Sequence, residues 1–430
     1  MSTSTESRPV TPTAAVDETP GKRWWSVPPK LPFLTRRNRM WWYPLLVVVA
    51  GLGAVAMLLR LINGLAMTEL TTQVPWGAWV AFYIYFVGLS AGPAILSSLV
   101  FGFRLKQAEG IGRSALLLAA LSLGVGLAFI GVDMGRLDRA INVMLFFHWT
   151  SPLSWAVRSY MVYLVIVVVQ LVYAIRLQRG MGDDNNNRRV LKILSAIGLP
   201  LAIIGVLGAE GALFAVVSAR GTWSGGLFPV ILLASAILAG AAMLIVIHYL
   251  VERGSGRRPN ARLMRFMSGI LLAGLFVDAG LTFYEYGIPL LARNHHETQI
   301  LDVMMFGPYA WTFWILQIAL GLVLPIIILM IPKLRASTGW VAAAAGMVVV
   351  GIMGVRFNIV LPPQITPVLN GYPNAHYFPS LMEWGVAAFL IAGGVLVYSL
   401  VSAWQPIHDP ARVSIIPDTA PTTSPARELS

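Results

Sequence analysis

The sequence predicts an all-α polytopic membrane protein with ten transmembrane helices, on three observations. Ten apolar stretches are each long enough to cross ~30 Å of hydrocarbon, which takes about 20 helical residues. The runs are continuously apolar, whereas a membrane barrel needs short strands of alternating polarity. The 31 Lys and Arg divide 24 to 7 between the two sides that ten crossings define, with all five Lys on the richer side. The positive-inside rule places that side, and both termini, in the cytoplasm.

The ten spans are expected at 41–62, 77–103, 114–133, 154–175, 191–216, 226–250, 264–287, 304–331, 338–360 and 383–404. The first carries Arg60 near its outer end. The second follows Pro75-Trp76-Gly77 and holds Tyr83 and Tyr85. The third ends on Asp133. The fourth carries Arg158. The fifth contains Pro200 and then Glu210, flanked by Gly208-Ala209 and Gly211, small neighbours that let other helices shield a carboxylate. The sixth ends near His248. The seventh carries Asp278 and Glu285, seven residues apart and therefore on one face. The eighth contains Pro325, the ninth Arg356, and the tenth runs to the late Gln405-Pro406.

Outside the spans, residues 1–40 and 405–430 are polar and rich in Pro, Ser and Thr, and read as disordered cytoplasmic tails around a 41–404 membrane domain. The first tail lacks a short apolar segment with a cleavage site and does not read as a signal peptide. Gly180 to Arg189 reads as a flexible cytoplasmic linker.

Composition excludes several chemistries. No Cys is present, so the protein offers no disulfide, Cys-ligated zinc or iron–sulfur cluster. The six His (148, 248, 295, 296, 376 and 408) fall in loops or at helix ends, without the paired intramembrane arrangement that a haem needs. The net charge of +12 is a topology signal whose natural partner is anionic lipid, not nucleic acid.

Charge inside the membrane is costly, and it marks a ligand or proton path. Arg60, Asp133, Arg136, Arg158, Asp278, Glu285 and Arg356 cluster toward the outer side, with Glu210 slightly deeper. Asp133-Met-Gly-Arg136-Leu-Asp138-Arg139 is the densest group. It reads either as a salt-bridged cap on the third helix or as the polar wall of a pocket. Tyr83, Asp133, Arg136, Arg139 and His148 are expected to line an outer cavity between helices two, three and four. Glu210, Asp278, Glu285 and Arg356 are expected to serve as a proton relay. In that relay Arg356 pairs with Asp278 or Glu285, while Glu210 belongs to a separate path. Pro93, Pro200 and Pro325 interrupt spans, as in transporters, which keeps an ion-coupled transporter as an alternative.

Four segments together resemble the NrfD/polysulfide reductase family of membrane subunits. They are PWGAWVAFYIYFVGLSAGPAI (75–95), DMGRLDRAIN followed by SPLSWAVRSY (133–160), Arg356-Phe-Asn358-Ile, and YFPSLMEW (377–384) with Gln405-Pro406. The last two resemble the longer, ten-helix members of the hydrogenase HybB and alternative complex III type. The resemblance spans about 41–407. It implies two four-helix bundles, helices two to five and six to nine, flanked by helices one and ten. It also implies a quinone- or quinol-reactive membrane subunit, with menaquinone or ubiquinone as bound substrate and no redox cofactor of its own. A ferredoxin-like iron–sulfur subunit would dock on it, together with a molybdopterin-type or other catalytic subunit. Some shorter members carry a His on the first core helix, and matching VGLSAG (87–92) puts Tyr83 there, with His148 as the substitute. A passive membrane anchor is the other alternative.

Overall fold

The computed structural model describes residues 33–410, apart from 104, 224–226, 293–294 and 369–370. Among the described residues, ten helices are long and apolar enough to cross a membrane: α1 (Arg36–Asn63), α2 (Ala78–Phe101), α3 (Gln107–Asp133), α4 (Pro152–Arg179), α5 (Asp184–Ala215), α6 (Phe228–Gly254), α7 (Ala261–Ala292), α8 (Thr312–Met330), α9 (Thr338–Ile365) and α10 (Leu381–Trp404).

Local sequence sets many of the ends. Thr35 and Ser151 cap α1 and α4 with their side chains, and Pro152 takes the first-turn position where no amide is needed. Gly180 closes α4 at φ 68°, a conformation glycine adopts without penalty. Ser380 and Glu383 form a reciprocal capping box at the start of α10.

The helices pack as two groups of four plus a pair. Helices α2 to α5 form one group and α6 to α9 the other, while α1 lies against α10, which in turn rests on α3. Helix α2 is the centre: 94% of its apolar window is buried, against 17% for α1. The two groups meet where α2 crosses α6 and α9. That crossing depends on glycine. A Cβ on Gly92 would overlap the Ala236 carbonyl oxygen, and one on Gly240 would lie 2.6 Å from the Pro93 ring. In lipid, helices associate by such close approach of small residues. Gly321 and Gly351 join α8 to α9 in the same way, and Gly53 and Gly385 join α1 to α10.

Two spans contain wide, π-helical turns, Leu201–Gly208 in α5 and Thr312–Val323 in α8. Pro200 precedes the first and Pro325 follows the second, and proline removes the amide that would close a regular turn. Such turns often lie at functional sites. Glu210 follows the first, and Gln317 sits inside the second.

Four bounds differ from expectation. Helix α1 starts at Arg36, inside the stretch 1–40 expected as a tail; residues 1–32 lie outside the described ones. The linker 180–189 is mostly helix, because Asp183 accepts amide hydrogen bonds from Asn185 and Asn186 and starts α5. The eighth span starts at Thr312, since His295–Met305 forms a separate helix before the Gly307 turn. Residues 405–410 are packed and not free: Arg113 donates to the Ile407 and Asp409 carbonyls, and Ile407 is wholly buried. The rest of 405–430 lies outside the described residues.

Candidate functional site

The helix crossing encloses the most costly charge in the molecule. Arg356 on α9 is 1% exposed and Glu210 on α5 is fully buried. The Arg356 Nη2 donates to Ser235 Oγ on α6 at 2.8 Å, while Nε and Nη1 have no protein partner. Both Glu210 oxygens also lack one. Gly88 on α2 makes room, since a Cβ there would lie 3.2 Å from Nη2. The Arg356 charge interacts with Glu210, then with Asp278 and Glu285 on α7, then with Tyr85. Among the described residues the guanidinium makes no hydrogen bond to Glu210, Asp278 or Glu285, so the four residues expected as a relay act on one another through space across the buried interior.

A phenol pair adjoins Glu210 on its other side. The hydroxyls of Tyr83 on α2 and Tyr160 on α4 are 2.8 Å apart, both residues are buried, and both interact with the Glu210 charge. A turn further in, the Tyr163 hydroxyl donates to the Ser90 carbonyl at 3.0 Å.

The cavity expected to be lined by Tyr83, Asp133, Arg136, Arg139 and His148 is not assembled as such. Tyr83 joins Glu210. Asp133 lies at the end of α3 beside Arg60 of α1, which donates to the carbonyls of Val132 and Met134 on either side of it, and its Oδ1 is buried without a partner. Arg136 pairs with Asp138 at 3.0 Å on an exposed loop, and the pairing holds the Asp138 carboxyl below its usual range. Arg139 is exposed, and the exposed His148 ring shares a 2.9 Å contact with Thr150 Oγ1. The loop thus carries a salt bridge, between the exposed side chains of Arg136 and Asp138. Arg158 binds the Val143, Ser154 and Met144 carbonyls and covers the Phe147 ring at 4.5 Å, so it ties down the loop and joins no relay. The turn after α3 separates these groups, because the loop runs over the surface while Asp133 still lies on the helix.

In the second group, Glu285, Tyr286, Trp223, Asn358 and Met304 are among the residues lining a small cleft of about 20 Å³. Beside it runs a ladder of neutral polar groups. Gln317 Nε2 donates to the Tyr286 hydroxyl at 3.0 Å, Asn358 Nδ2 donates to Gln317 Oε1 at 2.7 Å, and Thr312 Oγ1 lies 2.6 Å from Asn358 Oδ1. Glu285 thus opens onto the cleft.

Tyr160, Ser235, Gln317 and Glu383 were not singled out from sequence. Tyr160 and Ser235 carry no local signal in an apolar helix. Glu383 does have one, since Ser380-x-x-Glu383 before an apolar run is a capping signature. Among the described residues, no three His, Asp or Glu side chains are grouped so as to hold a metal ion.

Comparison with known proteins bears directly on this arrangement. The family model described as "Polysulphide reductase, NrfD" matches residues 66–368. The C subunit of selenate reductase from Mesobacillus selenatarsenatis is 31% identical over 406 residues, covering 86% of this chain and 94% of that protein. The Hdr-like menaquinol oxidoreductase integral membrane subunit of Archaeoglobus fulgidus is 26% identical, covering 82% and 90%. The C polypeptide of polysulfide reductase from Wolinella succinogenes is 24% identical, covering 69% and 96%.

Proposed function

Because the chain belongs to the NrfD polysulphide reductase family, we propose that it is the integral-membrane, quinone-reactive subunit of a respiratory oxidoreductase complex. In this reading it exchanges electrons between membrane menaquinone or ubiquinone and an extrinsic iron–sulfur subunit. The complex also holds a molybdopterin-type or other catalytic subunit. Both termini face the cytoplasm of the cell membrane, following the 24-to-7 charge division.

The observation that carries the reading is the buried Glu210 carboxylate, without a hydrogen-bond partner, beside the Tyr83–Tyr160 pair. Interconversion of quinone and quinol moves two electrons and two protons, so the protein must offer hydrogen-bond donors to a carbonyl and acceptors for protons. A phenol hydroxyl donates and accepts. Tyr83 is the residue we assign to the quinone carbonyl. Buried polar atoms without protein partners are commonly satisfied by water, and a hydrated Glu210–Arg356–Asp278–Glu285 track carries protons to the cleft at Glu285. Asp133 guards the mouth of the first group. Arg136, Arg139 and His148 lie on the exposed loop beside it, where they supply a face for the iron–sulfur subunit.

The test is quinol turnover by the assembled complex carrying Tyr83→Phe or Glu210→Gln. Each change keeps size and removes one proton-handling atom, so turnover per complex should fall by about 10²-fold, the scale of a lost positioned acid or base. Unchanged turnover in both variants would show a passive anchor.

A further inference from the structure

Helices α1 and α10 lie outside the segment 66–368 that the family model matches, yet they hold on to its outer end through buried polar groups. Glu383, at the start of α10, is 1% exposed. Its Oε1 accepts from the Tyr377 hydroxyl at 2.6 Å, and its Oε2 accepts from the Ser380 amide at 2.8 Å and the Glu69 amide at 3.3 Å. The Tyr377 hydroxyl in turn accepts the Ala78 amide at 2.8 Å, one of the first-turn donors of α2 that the helix itself leaves unpaired. Only glycine fits at position 77, where a Cβ would overlap the same hydroxyl. The Glu383 carbonyl accepts the Trp79 indole at 3.1 Å, and the Tyr309 hydroxyl ties the Tyr377 carbonyl to the start of α8 at 2.7 Å. Burial, reinforced by Glu383, pushes the Tyr377 phenol above its usual range, so it stays a donor. On α1, Arg60 is 3% exposed, and it donates to the Val132 and Met134 carbonyls at 2.7 and 2.6 Å, gripping α3 on both sides of Asp133.

We propose that the α1–α10 pair is a clamp on the outer mouth of the first helix group, with Glu383, Tyr377 and Arg60 as positioning residues that set the height of α2 and hold the end of α3. None of the three touches Tyr83. They act by fixing the first turn of α2, just ahead of Tyr83, and the backbone that carries Asp133. A side chain held by one helix end moves with it, and small misplacements in a binding site are costly. The clamp also explains a buried carboxylate far from the Arg356 cluster: its oxygens are spent on holding three segments together.

The enzymatic part of the test rests on the quinone reading above, and the exchange part does not. In the full complex in membranes, Tyr377→Phe removes one oxygen and no bulk, Glu383→Ala removes the whole grip, and Glu383→Gln keeps one acceptor. Amide hydrogen exchange at 76–82 should quicken in Tyr377→Phe, while that of 261–292 stays unchanged as an internal control. Quinol KM per assembled complex should rise about fivefold to tenfold with kcat within about twofold, the pattern of lost uniform binding, and Glu383→Gln should recover part of the loss seen with Glu383→Ala. If Glu383→Ala does not assemble, Tyr377→Phe alone decides. Wild-type exchange at 76–82 in Tyr377→Phe would overturn the clamp, and quicker exchange with an unchanged KM would overturn its positioning role. A wild-type complex without quinol turnover would remove the functional reading alone, leaving the exchange result to decide the clamp.

Discussion

Replacing Arg356 by Leu tests the central cluster most directly. The side chain is 1% exposed and makes one hydrogen bond, to Ser235, and its charge is shared among Glu210, Asp278 and Glu285. Removing it deletes one charge-assisted hydrogen bond, worth about 1.5–3 kcal/mol. It also removes the buried positive charge that acts through space on the three carboxyl groups, none of which is hydrogen-bonded to it. Arg356→Leu should therefore destabilise by about 1.5–3 kcal/mol. Glu210→Gln removes the carboxylate that interacts most strongly with Arg356. Added to Arg356→Leu it should recover about 1–3 kcal/mol, the range for residues that share one polar network. Arg356→Leu with Asp278→Asn should recover less, since Asp278 comes second among the partners of Arg356. The assay is a double-mutant cycle on the thermal or denaturant unfolding of the detergent-solubilised protein. Strict additivity of Arg356→Leu with all three carboxylate changes would refute the shared cluster. Recovery with Asp278→Asn or Glu285→Gln but not with Glu210→Gln would restore a separate path for Glu210.

Gly92→Val should prevent the two helix groups from docking, because even a Cβ there meets the Ala236 carbonyl oxygen; wild-type thermal stability of that variant would rule out the α2–α6 crossing. Burial, then the positive surroundings of His248, Arg113 and Arg257, pushes His408 down to about 3. Its folded value lies below the unfolded value of about 6.5, so the unfolded state binds the extra proton, and docking of 405–410 weakens as pH falls from about 6.5 toward 3. Protection of 405–410 against hydrogen exchange, relative to the intrinsic rate at each pH, should therefore fall at pH 5 relative to pH 7.5, and His408→Gln should abolish that difference. Reporter fusions at 184 and 372 should report opposite sides of the membrane, and the same side for both would break the ten-crossing topology.

The sequence by itself determined the architecture, and the reason is the solvent. A bilayer requires every crossing backbone to satisfy its own hydrogen bonds, so length and apolarity alone marked the ten helices. Local chemistry that acts within a few residues was equally legible, as in the face shared by Asp278 and Glu285, and in the Ser380–Glu383 box and the Asp183 cap, both passed over. The residue types of the candidate site were legible too, because a charge in an apolar helix is expensive wherever it lies.

Tertiary structure alone decided which of those charges meet. Inside a membrane the apolar pattern carries no helical stripe pointing to a protein core, since lipid is as apolar as leucine. Rotation and partner choice are set by glycine contacts such as Gly92 against Ala236, and Gly88 leaves the space that the Arg356 guanidinium takes beside α2. Tyr160 became visible only once α4 was packed on α2, because a phenol in an apolar helix looks like core until its hydroxyl is found 2.8 Å from another.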